Sequence, residues 1–236
     1  MTRQDMSIYT SGGVRELSYY GGRLQENYEV QEPNIEPAYT VLSGFPVLSR
    51  MRVGLKEIRL TIDFFGQSDA EAWENYSNFI GELAGGRHRI ILPDRFQSGA
   101  TVYYTVILDK VASATLFNVG SVQAELSLLG TRHGELVTAS ASSNQVNCIS
   151  TIPETPCRIT VTVGEDATNY QVGTVVFDSV TAGEVLTVDG LKMRILVNGA
   201  PAAARATFTE FPVLKPGSNS ITCDDRVTVQ YYPLYF

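Results

Sequence analysis

Few residues in this chain have the types and spacing that chemistry needs. The adjacent carboxylates Asp224 and Asp225 are the most conspicuous. Glycoside hydrolysis needs two carboxyl groups facing one cleft, roughly 5 to 9 Å apart. Neighbours in a hairpin turn diverge, so this pair reads as a solvated turn. "GEDATN", from Gly164 to Asn169, hints at a calcium loop but lacks the alternating oxygen ligands. "TSGGVREL", from Thr10 to Leu17, lacks the lysine and hydroxyl residue of a phosphate-binding loop. The two histidines are His88, between Arg87 and Arg89, and His133, between Arg132 and Gly134. Neither stands beside a nucleophile in a recognisable setting, and both read as surface histidines rather than general bases. The three cysteines, Cys148, Cys157 and Cys223, are odd in number and too few for a disulfide framework. Free thiols are the default, with a Cys148–Cys157 bridge as the alternative. With no CxxC pair, a zinc site is not expected. The expectation is a protein without catalytic residues, metal or cofactor.

Composition narrows the function classes further. The chain has 236 residues, 44% hydrophobic and 18% charged, which is ordinary for a folded globular protein. Its formal net charge is -7, from 18 Lys+Arg against 25 Asp+Glu. Cut after Thr138, the two parts carry 12 against 16 and 6 against 9, so neither is basic. Sequence-independent nucleic-acid binding wants clustered Lys and Arg, and that signal is absent. No apolar run approaches the roughly 20 residues that span a bilayer. "MTRQDMSIYT" has no apolar core of a signal peptide, so synthesis in a cytoplasm is expected.

Without a reactive site, the elements carry the information. "EIRLTIDFF" (Glu57–Phe65) alternates as a strand, with Ile58, Leu60, Ile62 and Phe64 on one face. "SDAEAWENYSNFIGELAGG" follows as a helix. Ser68 and Glu71 form a capping box. Ala72, Trp73, Tyr76, Phe79, Ile80 and Leu83 make one apolar stripe. The spacing therefore makes Trp73 a packing residue, not an exposed sugar platform. Gly85-Gly86 supplies a left-handed stop. Strands follow at "RHRIILP", Ala100–Val111 and Ser121–Gly130, the last with Val122, Ala124, Leu126 and Leu128 on one side. This is an α+β arrangement with a mainly antiparallel sheet. Upstream, residues 33–54 hold early prolines and a central Gly-Phe-Pro. They read as an extended arm whose Tyr39, Phe45 and Leu48 are candidates for subunit contact.

"TASASSNQVN" (Thr138–Asn147) is small, polar and without period, and reads as a linker. Everything after it reads as β. Ile159, Val161 and Val163 alternate, and short strand candidates follow at turn-separated intervals. Asp189-Gly190 and Asn198-Gly199 suit tight primed turns, and Lys215-Pro216-Gly217-Ser218 suits type II. "SITC-DD-RVTVQYY" reads as a terminal hairpin with Val227, Val229 and Tyr231 facing the core. The ending "YYPLYF" is aromatic where most chains fray into polar residues. Tyr231, Tyr232, Leu234, Tyr235 and Phe236 are therefore candidates for core packing or a contact, and less so for a sugar platform.

Two patterns carry a family resemblance. "LTIDFFGQSDAEAWENYSNFIGELAGGRHRIILPD" resembles the tube-type domain of siphophage tail proteins. "FPVLKPGSNSITCDDRVTVQYYPLYF", with "VDGLKMRILVNG" upstream, is similar to the C-terminal signature of the distal tail protein family. The resemblance spans essentially the whole chain. It implies a mainly β protein. Residues 1–138 would form a ring-forming belt domain, tube-like and α+β, as a sandwich or barrel with one helix. Residues 139–147 would be a linker, and 148–236 a galectin-like β-sandwich. It further implies a homohexameric ring at the tail tip, joining the tail tube protein to tail-tip or receptor-binding proteins. Such a ring would line part of a conduit for DNA that passes without specific binding, and its place would be the virion. An acidic surface suits that role. Other readings are a free-standing carbohydrate-binding protein, or a tail-tube or baseplate relative other than the distal ring.

Overall fold

The computed structural model describes residues 5–43, 45–93, 101–140 and 144–236. The chain forms two compact units, residues up to His133 with Phe236, and Gly134–Tyr235.

In the first unit the elements run β1 (Ser7–Thr10), β2 (Gly13–Glu16), β3 (Gly22–Leu24), β4 (Glu29–Val30), β5 (Ile35–Leu42), β6 (Phe45–Val53), β7 (Lys56–Phe65), α1 (Asp69–Ala84), β8 (His88–Ile91), β9 (Tyr103–Asn118) and β10 (Ser121–His133). The main sheet has the order β2-β1-β8-β9-β10-β7-β3, with β4 also on β7. Every pairing is antiparallel. The sheet is open, with β2 at one end and β3 and β4 at the other, so it does not close into a barrel. Alternation places Ile58, Leu60, Ile62 and Phe64 of β7 beside Val122, Ala124, Leu126 and Leu128 of β10, all buried. Helix α1 covers this face with Ala72, Phe79 and Leu83, while Trp73, Tyr76 and Ile80 pack half-buried around them.

The helix begins as its capping residues dictate. Ser68 Oγ accepts from Glu71 N at 3.3 Å, but Glu71 Oε2 reaches past the cap to Gln67 N at 2.6 Å. At the other end Gly85 stays right-handed, and the positive φ falls on Gly86 (φ 142). The Gly85-Gly86 stop is therefore one residue later than a left-handed Gly85 would give, and it is not the αL conformation.

The turn between β9 and β10 is clamped onto the helix start. Gly120 N donates to Asp69 Oδ1 at 2.6 Å, and Gly66 N donates to Gly120 O at 2.9 Å. Gly120 sits at φ +71, and a Cβ there would lie 2.6 Å from Gly66 O. Left-handed backbone costs a non-glycine residue about 1–2 kcal/mol, before the clash. Gly120→Ala should therefore lower stability by about 2 kcal/mol, read as a fall of several degrees in a thermal melt. An unchanged melt would mean the turn relaxes away from α1.

In the second unit the strands are β11 (Val137–Ser140), β12 (Gln145–Cys148), β13 (Thr155–Thr162), β14 (Ala167–Val172), β15 (Val175–Val180), β16 (Val185–Asp189), β17 (Arg194–Val197), β18 (Ala200–Pro201), β19 (Ala206–Phe208), β20 (Val213–Leu214), β21 (Gly217–Ser220) and β22 (Val227–Tyr231). One sheet has the order β11-β22-β13-β16-β17-β18 with β20 also on β13; β14-β15-β19 and β12-β21 are separate sheets. Between them lies one core, in which Ile159, Val161, Val188, Val227, Val229 and Tyr231 meet Val146, Tyr170, Val172, Val175 and Phe177. This is a β-sandwich.

Several sequence expectations change here. Much of the stretch read as a linker is ladder: β11 pairs with β22, and β12 with β21, while residues 141–143 lie outside the described residues. Edge strands need apolar side chains on one face only, and Val137, Ala139, Val146 and Cys148 supply them at spacing two. The terminal hairpin does not form. β21 joins β12 in one sheet and β22 joins β11 and β13 in another, so the chain between them crosses the sandwich. Of Asp224-Asp225, Asp224 is exposed in a bend as the turn reading expects, whereas Asp225 is half-buried and engaged. Asp225 Oδ2 accepts from Tyr170 OH at 2.7 Å and from Gly164 N at 2.9 Å. Asp189-Gly190 is not a two-residue turn either, since Asp189 pairs with Arg194 across a four-residue connection. Asn198 and Gly199 do form the expected tight turn, at φ 50 and φ 80, and Gly217 takes φ +89 as a type II turn requires.

Candidate interaction surface

Several of the residues with reactive side chains are packed into the fold. His133 is buried, contrary to the sequence reading. Its ring stacks on Tyr103 and its Nε2 lies 2.8 Å from Thr105 Oγ1. The alternation of β10 turns it inward where charge patterning suggested a surface site. His88 is half-buried and lines an open cleft of about 610 Å³ with Tyr9, Thr10, Ser11, Glu82 and Arg87. Thr10 Oγ1 is engaged in its own turn with Gly12 and Gly13, and Glu82 lies 3.7 Å from Arg15. The three cysteines are free. Burial pushes the Cys157 thiol up to about 12, and burial also raises Cys223. Thiols held this far from the thiolate form are poor nucleophiles and poor metal ligands at neutral pH. Among the described residues no three His, Cys, Asp or Glu side chains cluster as metal ligands, and no helix is long and apolar enough to cross a membrane.

What the first unit offers is a surface. β5 and β6 form a two-stranded ribbon outside the main sheet. Its base is closed by Gly54 N donating to Asn34 O at 2.8 Å. Every residue of β5 is exposed, and β6 is exposed except for half-buried Met51 and Val53. The register decides what each face carries. Ile35 opposes Val53, Pro37 opposes Met51, Tyr39 opposes Leu48, and Val41 opposes Pro46. Directly opposed residues point to the same side and alternate along the strand. Those four pairs therefore make one continuous apolar face. The other face carries the pairs Glu36–Arg52, Ala38–Arg50, Thr40–Val47 and Leu42–Phe45, polar near the base and apolar at the tip. A bulge between Ala38 and Tyr39 keeps this alternation, and Ser49 Oγ bonds Ala38 O at 2.8 Å beside it.

The three arm residues singled out from sequence are thus exposed, Tyr39 by 59%, Phe45 by 75% and Leu48 by 54%. Tyr39 and Leu48 share the apolar face, whereas Phe45 lies on the opposite one. The candidates at the C-terminus belong to different settings. Tyr231 is core, with 1% exposure, and Tyr232, Leu234, Tyr235 and Phe236 are half-buried. Leu234 is fixed by main-chain bonds: its N–H donates to Ser150 Oγ at 3.0 Å, and its carbonyl accepts from Thr151 N at 2.9 Å. Sequence reasoning missed a second exposed group at the β9–β10 turn: Leu116 (50%), Phe117 (62%) and Val119 (92%), with Phe65 (47%) nearby. The unusual run "TLFNVG", apolar through a turn, was the available signal.

Comparisons with known proteins agree with this architecture. Residues 151–235 match the family model described as "Siphovirus-type tail component, C-terminal domain". The Dit protein of phage SPP1, solved as a hub of the adsorption apparatus in phages infecting Gram-positive hosts, has the same fold at 14% identity. Its TM-score is 0.70 over 98% of this chain and 99% of that one. Chains of the phage P2 baseplate in its activated conformation are also similar. With calcium the TM-score is 0.53 at 10% identity, covering 99% of this chain and 98% of that one. With strontium it is 0.53 at 9% identity, covering 96% and 97%. A comparison with curated protein sequences found no match. The resemblance to the distal tail protein family therefore rests on a family match over the second unit and a shared fold along the chain.

Proposed function

We propose that this chain works as a distal tail protein, a structural subunit that closes into a homohexameric ring at the tip of a phage tail. One observation carries the reading: the β5–β6 arm presents an apolar face of four residue pairs, all exposed among the described residues except half-buried Met51 and Val53 at its base. Monomeric proteins rarely leave contiguous apolar patches above a few hundred Å² in water. Four large apolar side chains of that face, Ile35, Tyr39, Val41 and Leu48, are each about half exposed or more. At ~150 Å² for a large side chain, they amount to roughly 330 Å², and Leu42, Phe45 and Val47 add exposed apolar surface on the other face towards the tip.

In this reading the first unit builds the ring and the second hangs from it as a folded module. The ring joins the tail tube protein to tail-tip or receptor-binding proteins in the virion. It forms part of a conduit whose net negative chain lets DNA pass without holding it. The family match of the second unit to a tail component supports the setting. Negative-stain imaging and light scattering across a concentration series test it. Closed rings of six copies are expected. A monomer at micromolar concentration, alone and with the adjoining tail protein, would overturn the reading.

A further inference from the structure

We infer that the arm of one copy docks on the β9–β10 turn of the next copy, so that the contact is head-to-tail. The inference rests on the ring reading and adds to it the acceptor surface.

The argument starts from where the two exposed apolar groups lie on β7. The arm leaves the sheet at the start of β7, beside Lys56, which pairs with Gly130. The β9–β10 turn lies at the other end, beside Phe65, which pairs with Ser121. Ten extended residues separate these ends, about 33 Å of strand. The eight-residue β5 extends roughly 26 Å. An arm rooted at one end of the sheet therefore does not cover the turn at the other end of its own chain. A second copy can bring them together.

The acceptor also has the right character. Leu116, Phe117 and Val119 are exposed at that end, while Phe65 lies on the opposite face of the sheet from Leu116. Their turn is held to α1 through Asp69 and Gly66, so the patch is preorganised and little ordering cost accompanies docking. At ~150 Å² for each large side chain, the patch offers on the order of 300 Å². Added to the roughly 330 Å² of the arm's face, the apolar part reaches about 600 Å², and since about 60% of an interface is apolar, the total approaches the ~1,000 Å² that a specific interface needs. Two unlike surfaces at opposite ends of one subunit make a heterologous contact, which propagates from copy to copy and closes where the rotation allows.

Two double variants separate the halves of the contact. Tyr39→Asp with Leu48→Asp breaks the arm's apolar face and leaves the patch intact. Phe117→Asp with Val119→Asp breaks the patch and leaves the arm intact. All four positions are exposed, so melting temperatures should match the wild type. Should the patch variant melt early, Phe117→Ser with Val119→Ser replaces it. Sedimentation velocity is read on each variant and on an equimolar mixture. Each variant alone should be monomeric, with self-association weakened about 100-fold, as loss of anchoring aromatic contacts does elsewhere. The mixture should form a one-to-one dimer that grows no further, because one intact arm meets one intact patch. A patch variant that assembles like the wild type, or a mixture that stays monomeric, overturns the inference while leaving the ring reading in place. A wild-type chain that does not assemble overturns the ring reading itself.

Discussion

Tyr231→Ala should destabilise the second unit by roughly 3–5 kcal/mol, the range for removing a large aromatic side chain from a packed core. Tyr231 is 1% exposed on β22, the strand that binds both β11 and β13. Its ring fills the sandwich, and its hydroxyl ties two sheets. Tyr231 OH donates to Asn147 O at 3.0 Å and accepts from Ile149 N at 3.3 Å, reaching β12 and the residue after it. Tyr231→Phe keeps the ring and loses those bonds, and should cost about 1–2 kcal/mol, since Ile149 N is left without its acceptor. Urea unfolding of the full chain followed by circular dichroism reads both. A Tyr231→Ala midpoint within error of the wild type would mean that the core repacks around the missing ring.

Asp189→Ala is the second large effect, at about 3 kcal/mol. The carboxylate is fully buried at the end of β16. Its Oδ2 accepts from Arg158 Nη2 at 2.9 Å and Arg194 Nε at 3.3 Å, and its Oδ1 from Lys192 N at 3.2 Å. Removing one side of a buried ion pair costs about 3–5 kcal/mol because the other charge is stranded. Here both guanidiniums keep some water, Arg158 at 29% exposure and Arg194 at 46%, which places the loss at the lower end. Arg158 Nε is buried without a hydrogen-bond partner, so Arg158 tolerates little further loss. Arg194→Ala, at the more exposed partner, should cost well under 1 kcal/mol. If Arg194→Ala proves as damaging as Asp189→Ala, the pair acts through Arg194 and not through Arg158.

Much of this molecule could be read from period alone. β7, β10, β13 and β22 each alternate cleanly, and their apolar residues are core. The helix could be placed from Ser68, Glu71 and its stripe. Pairing was harder to read. "SITCDDRVTVQYY" has the local chemistry of a hairpin, yet its two strands join different sheets. Turn residues report local bending, whereas sheet membership depends on distant partners, here β12 for one strand and β11 and β13 for the other. Asp189 was hidden for the same reason. In "VDG" it looks like turn punctuation, and only the register opposite Arg158 and Arg194 shows its burial. The arm's exposure was legible because nothing nearby in sequence could receive Tyr39, Phe45 and Leu48. The division of those three between two faces needed the register.

If the chain assembles as proposed, the ribbon's prolines bear on how a free subunit would survive before finding its neighbours. An isolated apolar ribbon resembles the seed of a cross-β fibril, in which edge strands recruit copies of themselves through main-chain bonds. Both rims of this ribbon resist that. Pro37 on β5 and Pro46 on β6 have no N–H to offer an incoming strand. The bulge beside Ser49 displaces the ladder between them. The arm is adhesive through its side chains and poor as a backbone template. Under the ring reading, association of newly made chains would thereby be steered away from unlimited edge stacking and towards face contacts of fixed geometry.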